Sequence, residues 1–189
     1  MSQNVCACPT AADRFVMPAH PQYPKLRAGT QLDAIYERLL RNGTCFRKPG
    51  LPQGLPRVVV VFDPRCSWSH IFWNTTLPIS DAVDFHWFPV CVSADYSTAQ
   101  AASMLASETP WDLMKTHQEA FEDPDFCGIH ADDYPAEQKH RDLVWNNARI
   151  YRKAGGTSVP LGIFMNGQGQ LVPLFGDMTL NEIRTALGL

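Results

Sequence analysis

Apolar positions along this chain recur in two rhythms. In "TQLDAIYERLLRNG" the residues Leu32, Ile35, Tyr36, Leu39 and Leu40 fall at i, i+3, i+4, i+7 and i+8, the spacing of one helical face. Thr30 is the expected N-cap, Asp33 follows three residues on, and Asn42-Gly43 marks the stop. Val58 to Phe62 is instead an unbroken run, "VVVVF". Such a run predicts a strand covered on both faces. A helix is expected from about Cys66 to Leu77, stopped by Pro78. "VDFHWFPVCV" reads as a second strand, and "TAQAASMLAS" as a helix with Ser97 as its cap. "TPWDLMKTHQEAFED" has Thr109 as cap and Pro110 in the first turn. Its stripe is Trp111, Met114, His117 and Phe121. The helix of "PAEQKHRDLVWNNARIYRKAGG" begins at Pro135, gathers Leu143, Val144, Asn147, Ile150 and Tyr151 on one side, and ends at Gly155-Gly156. "PLGIFMN" and "QLVPLFG" are two strands joined through Gly167-Gln168-Gly169, and Thr179 with Glu182 caps a last helix.

The order is strand, helix, strand, several helices, strand, strand, helix. This is an α/β arrangement in which the first two strands run parallel and the last two form an antiparallel hairpin. Residues 1–55 read as an N-terminal arm, with Pro9, Pro18, Pro21 and Pro24, plus one helix at about 30–42. Residues 56–189 read as the folded domain.

Composition narrows the class. The 189 residues are 45% hydrophobic and 19% charged, with a formal net charge of -3. No basic run is present, which argues against a nucleic-acid partner. No segment approaches the apolar length of a membrane helix, so no membrane insertion is expected. The first residues, "MSQNVCACPTAADRF", lack the basic and apolar regions of a secretory leader. The expected location is cytoplasmic if the sequence is complete. The six cysteines show no C-x-x-C pair and no zinc-ligand framework. Cys6 and Cys8 have no matching second pair, and no metal or bound cofactor is expected.

Cys66 stands just past the first strand, at the start of a helix, in "VVVVFDPRCSWSH". Helix N-terminal N–H groups and the helix dipole favour a thiolate there, and the thiolate is the nucleophile. Asp63 and Pro64 carry the chain off the strand, Trp68 offers a wall, and Ser69 lies one turn away. His70, on the same helix, would lower the Cys66 pKa if charged. Taken alone, Cys66 reads more readily as a small buried residue, since free cysteine is among the most buried types. A second stretch, "GGTSVPLGIF", puts Thr157, Ser158 and Val159 ahead of Pro160 at the mouth of a strand.

Together these stretches resemble the thioredoxin fold, specifically the catalytic domain of the DsbC/DsbG thiol:disulfide isomerases, over about residues 56–188. "VVFDPRCSWSHIFW" resembles that family's strand, active-site turn and first helix; "FHWFPV" its second strand; "TSVP" its cis-proline loop; "MTLNEIRTALG" its closing helix. The implied architecture is a thioredoxin-like fold with a helical insertion between the second strand and the cis-proline strand. Cys66 then matches the nucleophilic cysteine and Pro160 the cis-proline, with Val159 lending its backbone to a bound peptide or glutathione. Ser69 stands where the family has its second cysteine, so the motif is C-x-x-S and cannot close an internal disulfide. The first 55 residues are too few for both the family's dimerisation domain and its linker helix, and the resemblance implies a periplasmic location if a leader has been removed.

The implied activity is monothiol exchange. Cys66 forms mixed disulfides with protein thiols or glutathione, and an external thiol such as glutathione serves as co-substrate. Cys91, at the end of the second strand, is the first candidate for a resolving thiol, although as a core cysteine it has a simpler explanation; Cys45 and Cys127 come after it. Two other readings stand beside this one. One is a redox-inactive thioredoxin-fold chaperone or assembly partner. The other is a glutathione-dependent transferase or isomerase. The tryptophans Trp73, Trp87, Trp111 and Trp145 are expected in the core. His117, His130 and His140 are expected at solvated positions.

Overall fold

A computed structural model describes residues 26–92, 95–122 and 127–189. Most of the proline-rich segment, with Cys6 and Cys8, lies outside the described residues.

Among the described residues, four strands form one sheet in the order β2-β1-β3-β4. The strands are β1 (Arg57–Phe62), β2 (Asp84–Pro89), β3 (Leu161–Met165) and β4 (Leu171–Phe175). β1 pairs parallel with β2, in the register Val58 with Phe85 through Phe62 with Pro89. β3 lies antiparallel to both β1 and β4. The valine run is central for the predicted reason: Val58, Val60 and Phe62 enter one core layer, while Val59 and Val61 enter the other. All five are fully buried. Pro173 falls on the edge strand β4, where a missing N–H costs no sheet bond.

Among the described residues, six α-helices cover the sheet: α1 (Leu32–Asn42), α2 (Ser67–Thr76), α3 (Asp95–Ala106), α4 (Pro110–Glu119), α5 (Gln138–Lys153) and α6 (Leu180–Leu187). One layer packs Ile35, Tyr36 and Leu39 of α1 and Ala148 and Tyr151 of α5 on Val59, Val61 and Ile163. The other gathers Phe72 and Trp73 of α2, Trp111 and Met114 of α4 and Ile183 of α6 around Trp87. None of these helices is long and apolar enough to cross a membrane.

Several sequence expectations shift. α1 starts at Leu32 with Gln31 as N-cap; Thr30 instead donates its hydroxyl to the Gly155 carbonyl at 3.1 Å. Pro78 does not simply stop α2, because the chain continues through a 3-10 turn at Leu77–Ile79. Thr109 caps α4 without a side-chain bond. α5 begins after Glu137 rather than at Pro135. Ser97 lies inside the first turn of α3, not at its cap. Trp145 is 49% exposed, on the outer face of α5, whereas Trp73, Trp87 and Trp111 are core. His117 is fully buried. The Thr179–Glu182 capping box forms in both directions.

Candidate functional site

The site begins where β1 ends. Asp63 is wholly buried, and its carboxylate takes three donors. Oδ1 accepts from the Arg65 N–H at 2.9 Å and the Ser97 hydroxyl at 2.5 Å, and Oδ2 from the Val92 N–H at 2.7 Å. One side chain thus ties the turn before Cys66, the loop after β2 and the start of α3. The Cys66 N–H closes the turn on the Asp63 carbonyl at 3.1 Å.

Cys66 is the N-cap of α2, with extended backbone. Its thiol donates to the Val159 carbonyl at 3.3 Å, and the Val159–Pro160 peptide bond is cis. Two stretches more than 90 residues apart in sequence therefore meet at the sulfur. Val159 and Pro160 are buried, Ser158 is half-buried and Thr157 exposed. Trp68 is half-buried, on the first turn of α2.

Burial pushes the Cys66 thiol up from its ordinary value. The Ser69 N–H, the Ser69 hydroxyl and the Trp68 N–H pull the other way, and the Asp63 charge adds to the rise. The helix N-terminus thus supplies the predicted donors, yet desolvation outweighs them. The Ser69 hydroxyl is only 1% exposed and has no well-formed hydrogen bond of its own. It acts on the Cys66 sulfur, opposing the rise of its pKa. His70 bonds to side chains of both α2 and α4. Its Nδ1 meets Gln118 Oε1 at 2.6 Å, its Nε2 meets Asn74 Nδ2 at 3.0 Å, and its ring stacks on Phe121 at 4.4 Å. His70 thereby links α2 to α4.

Cys91 is a free thiol, half-buried, as are Cys45 and Cys66. It sits between Val90, whose N–H donates to Phe62, and Val92, whose N–H donates to Asp63. That places it at the same sheet edge as Cys66, unbonded to it. Cys127 is disulfide-bonded, so it offers no thiol to Cys66.

Several supporting residues escaped the sequence. From α5, Tyr151 donates its hydroxyl to the Ser158 carbonyl in a short bond, and Arg152 Nη2 donates to the Cys91 carbonyl at 2.7 Å. Adjacent residues of one helix so hold both loops that flank the thiol. A Cβ at Gly156 would enter the Tyr151 ring at 2.1 Å, which is why the loop approaches so closely only with glycine there. His117 on α4 donates from Nε2 to the Pro64 carbonyl at 2.9 Å and accepts the Ile129 N–H on Nδ1 at 3.3 Å. The Arg65 guanidinium stacks over Tyr96 at 4.9 Å, beside the turn. Tyr151 and His117 carried a sequence signal, since both lie on buried helical stripes. Arg152 carried none.

No protein-family model matches the chain, and no curated protein matches it. Solved structures do. The catalytic domain of Proteus mirabilis ScsC is 14% identical over 83% of this chain and 96% of its own, with a TM-score of 0.60. A periplasmic thioredoxin-like protein from Salmonella enterica serovar Typhimurium is 14% identical, covering 87% of this chain and 97% of its own, with a TM-score of 0.63. A thioredoxin-like oxidoreductase from Silicibacter pomeroyi is 16% identical, covering 80% and 95%, with a TM-score of 0.53. At these identities the likeness establishes the fold. The chain has a thioredoxin-like fold, with α3, α4 and α5 inserted between β2 and the cis-proline strand β3.

Proposed function

We propose that this protein carries out monothiol thiol-disulfide exchange through Cys66, in the manner of the DsbC/DsbG-like isomerases its motifs resemble. The observation that carries this reading is the Cys66 thiol at the N-cap of α2, facing the cis Val159–Pro160 loop at 3.3 Å. The sulfur of Cys66 attacks one sulfur of a substrate disulfide, the S–S bond breaks, and the other sulfur leaves as a thiol carrying the proton released by Cys66. The substrate chain lies in extended form along Val159, exchanging backbone hydrogen bonds with it. Ser69 cannot displace the bound sulfur, so a second, external thiol such as glutathione attacks the mixed disulfide and regenerates Cys66. Ser69 serves the sulfur as a hydrogen-bond donor once the proton has gone.

The test is mass spectrometry of the whole chain after exposure to oxidised glutathione, with peptide mapping. A glutathione adduct on Cys66, reversed by added thiol and lost with turnover in Cys66→Ala, supports the reading. A Cys66 that stays unmodified while other thiols react would overturn it. One observation favours a second reading, a redox-inactive binding module: burial holds the Cys66 proton on. A chain that binds unfolded thiol-free peptides equally well as wild type and as Cys66→Ala, with no exchange activity, would decide for that reading.

A further inference from the structure

A second cysteine stands in a hydrogen-bonded relay of its own, away from the site at Cys66. Phe46 forms an antiparallel bridge to Trp87, its N–H and carbonyl exchanging bonds with Trp87 at 3.1 and 3.0 Å. This fixes the segment after α1 beside the edge strand β2. Alternation then puts Cys45 and Arg47 on one side of that segment and Asp84 and His86 on one face of β2. The Cys45 Sγ lies 3.8 Å from His86 Nδ1, and His86 Nε2 lies 2.9 Å from Asp84 Oδ2. Arg47 Nη1 also reaches Asp84 Oδ2, at 3.2 Å.

The roles follow from the partners. Asp84 accepts from Nε2–H, which leaves the Nδ1 lone pair facing the thiol. Burial keeps His86 below its ordinary imidazole value, so it is a neutral base at pH 7. Burial also raises the Cys45 thiol, to about 11. Cys45 is therefore protonated at rest and depends on the adjacent base to release its proton. This is the nucleophile, base and orienting-carboxylate order of thiol catalysis. The charges facing the pair are Asp84, Arg47 and Arg57. Arg47 is half-exposed and Arg57 exposed, so the mouth of the site is cationic. Cys45 itself is half-buried rather than sealed.

We propose that Cys45 is a second reactive thiol, with His86 as general base and Asp84 as its orienting carboxylate, that takes up an anionic low-molecular-weight disulfide. The Cys45 S–H proton passes to His86 Nδ1 as the sulfur attacks one sulfur of the disulfide. A new S–S bond forms on Cys45, the old one breaks, and the departing thiolate takes the proton from His86. The disulfide is the oxidant, and one thiol is released per Cys45 modified. Asp84 and His86 lie in the first half of β2, while the Cys66 site lies beyond its far end. The proposal rests on nothing assigned to Cys66.

The experiment uses the full chain with Cys66→Ala, so that no signal arises from that site. It follows the rate of glutathione adduct formation at each cysteine by peptide mapping. Cys45 should react at least tenfold faster than the half-buried Cys91, and faster with oxidised glutathione than with the neutral bis(2-hydroxyethyl) disulfide. Adding His86→Gln should slow Cys45 at least tenfold and leave Cys91 unchanged. Where His86→Gln loses its circular dichroism, Asp84→Asn serves in its place and should slow Cys45 in the same direction. Equal rates at Cys45 and Cys91, or a Cys45 rate unmoved in the folded His86 and Asp84 variants, would overturn the proposal.

Discussion

At Cys66 the local chemistry divides into donors that want a thiolate and surroundings that do not. Two N–H groups and the Ser69 hydroxyl favour the charge, while burial, foremost, and the Asp63 carboxylate oppose it. The balance keeps the proton on, so iodoacetamide should modify Cys66 slowly at neutral pH, and the rate should go on rising with pH beyond the ordinary thiol value of about 8.5. A rate that is already maximal at pH 6 would contradict the raised thiol. Ser69→Cys probes the same pair from the other side. Positions three apart on a helix lie within the Cα separation that a disulfide spans, about 4.4–6.8 Å. Oxidised glutathione should then remove two hydrogens from the chain rather than leave an adduct, because the new thiol displaces glutathione from Cys66. A persistent adduct would show that the turn keeps the two sulfurs apart. The residue types of this site were legible from "DPRCSWS" and "TSVP", since each demands a particular place in the fold. That burial outweighs the helix-end donors at Cys66 was not, because the balance depends on how α5 and the loops close over the turn.

At the scale of elements, α5 decides how closely the two flanking loops approach the sulfur. Its Tyr151 hydroxyl meets the Ser158 carbonyl and its Arg152 meets the Cys91 carbonyl. Tyr151→Phe keeps the ring against Gly156 and removes only the donor. The half-buried carbonyl left behind should cost about 1 kcal/mol of unfolding free energy in urea. It should also slow exchange at Cys66 by loosening the Val159 carbonyl that receives its thiol. Full stability and full exchange rate in this variant would show that the cis-proline loop holds itself. The strands, the last helix and the insertion could all be read from periodicity, because a buried valine run, a capping box and an apolar stripe each state a local requirement. Helix starts were read less well. Thr30 and Ser97 are good capping residues by type, yet Gly155 claims one hydroxyl and Asp63 the other. Those partners lie 125 and 34 residues away, beyond any local rule. Trp145 faces solvent for a related reason: α5 buries Val144, Asn147 and Tyr151, and the neighbouring position turns outward.

Across the whole molecule, His117 joins three parts that sequence separates: α4 of the insertion, the loop at Ile129, and the turn that presents Cys66. A Cβ at Gly128, where φ is +119°, would enter the imidazole at 2.2 Å, so the loop closes on the ring only as glycine. The ring is neutral in the fold, with Nε2–H on Pro64 and Nδ1 receiving Ile129, and burial lowers its pKa from 6.5 to about 4. The unfolded chain takes up a proton on this group near pH 6.5, whereas the folded chain resists until about 4. Between those values the unfolded state binds more protons, so stability falls as pH falls, and below about 4 this group adds no further dependence. At about 1.4 kcal/mol for each pH unit of displacement, the whole window is worth about 3 kcal/mol. His86, whose pKa burial also lowers, contributes with the same sign. His117→Gln keeps a donor and an acceptor but has no charge to gain. Urea unfolding between pH 7 and 5, above the range where most carboxylates titrate, should give the wild type a clear loss of stability and the variant a smaller one. Equal slopes in the two proteins would place the acid sensitivity elsewhere.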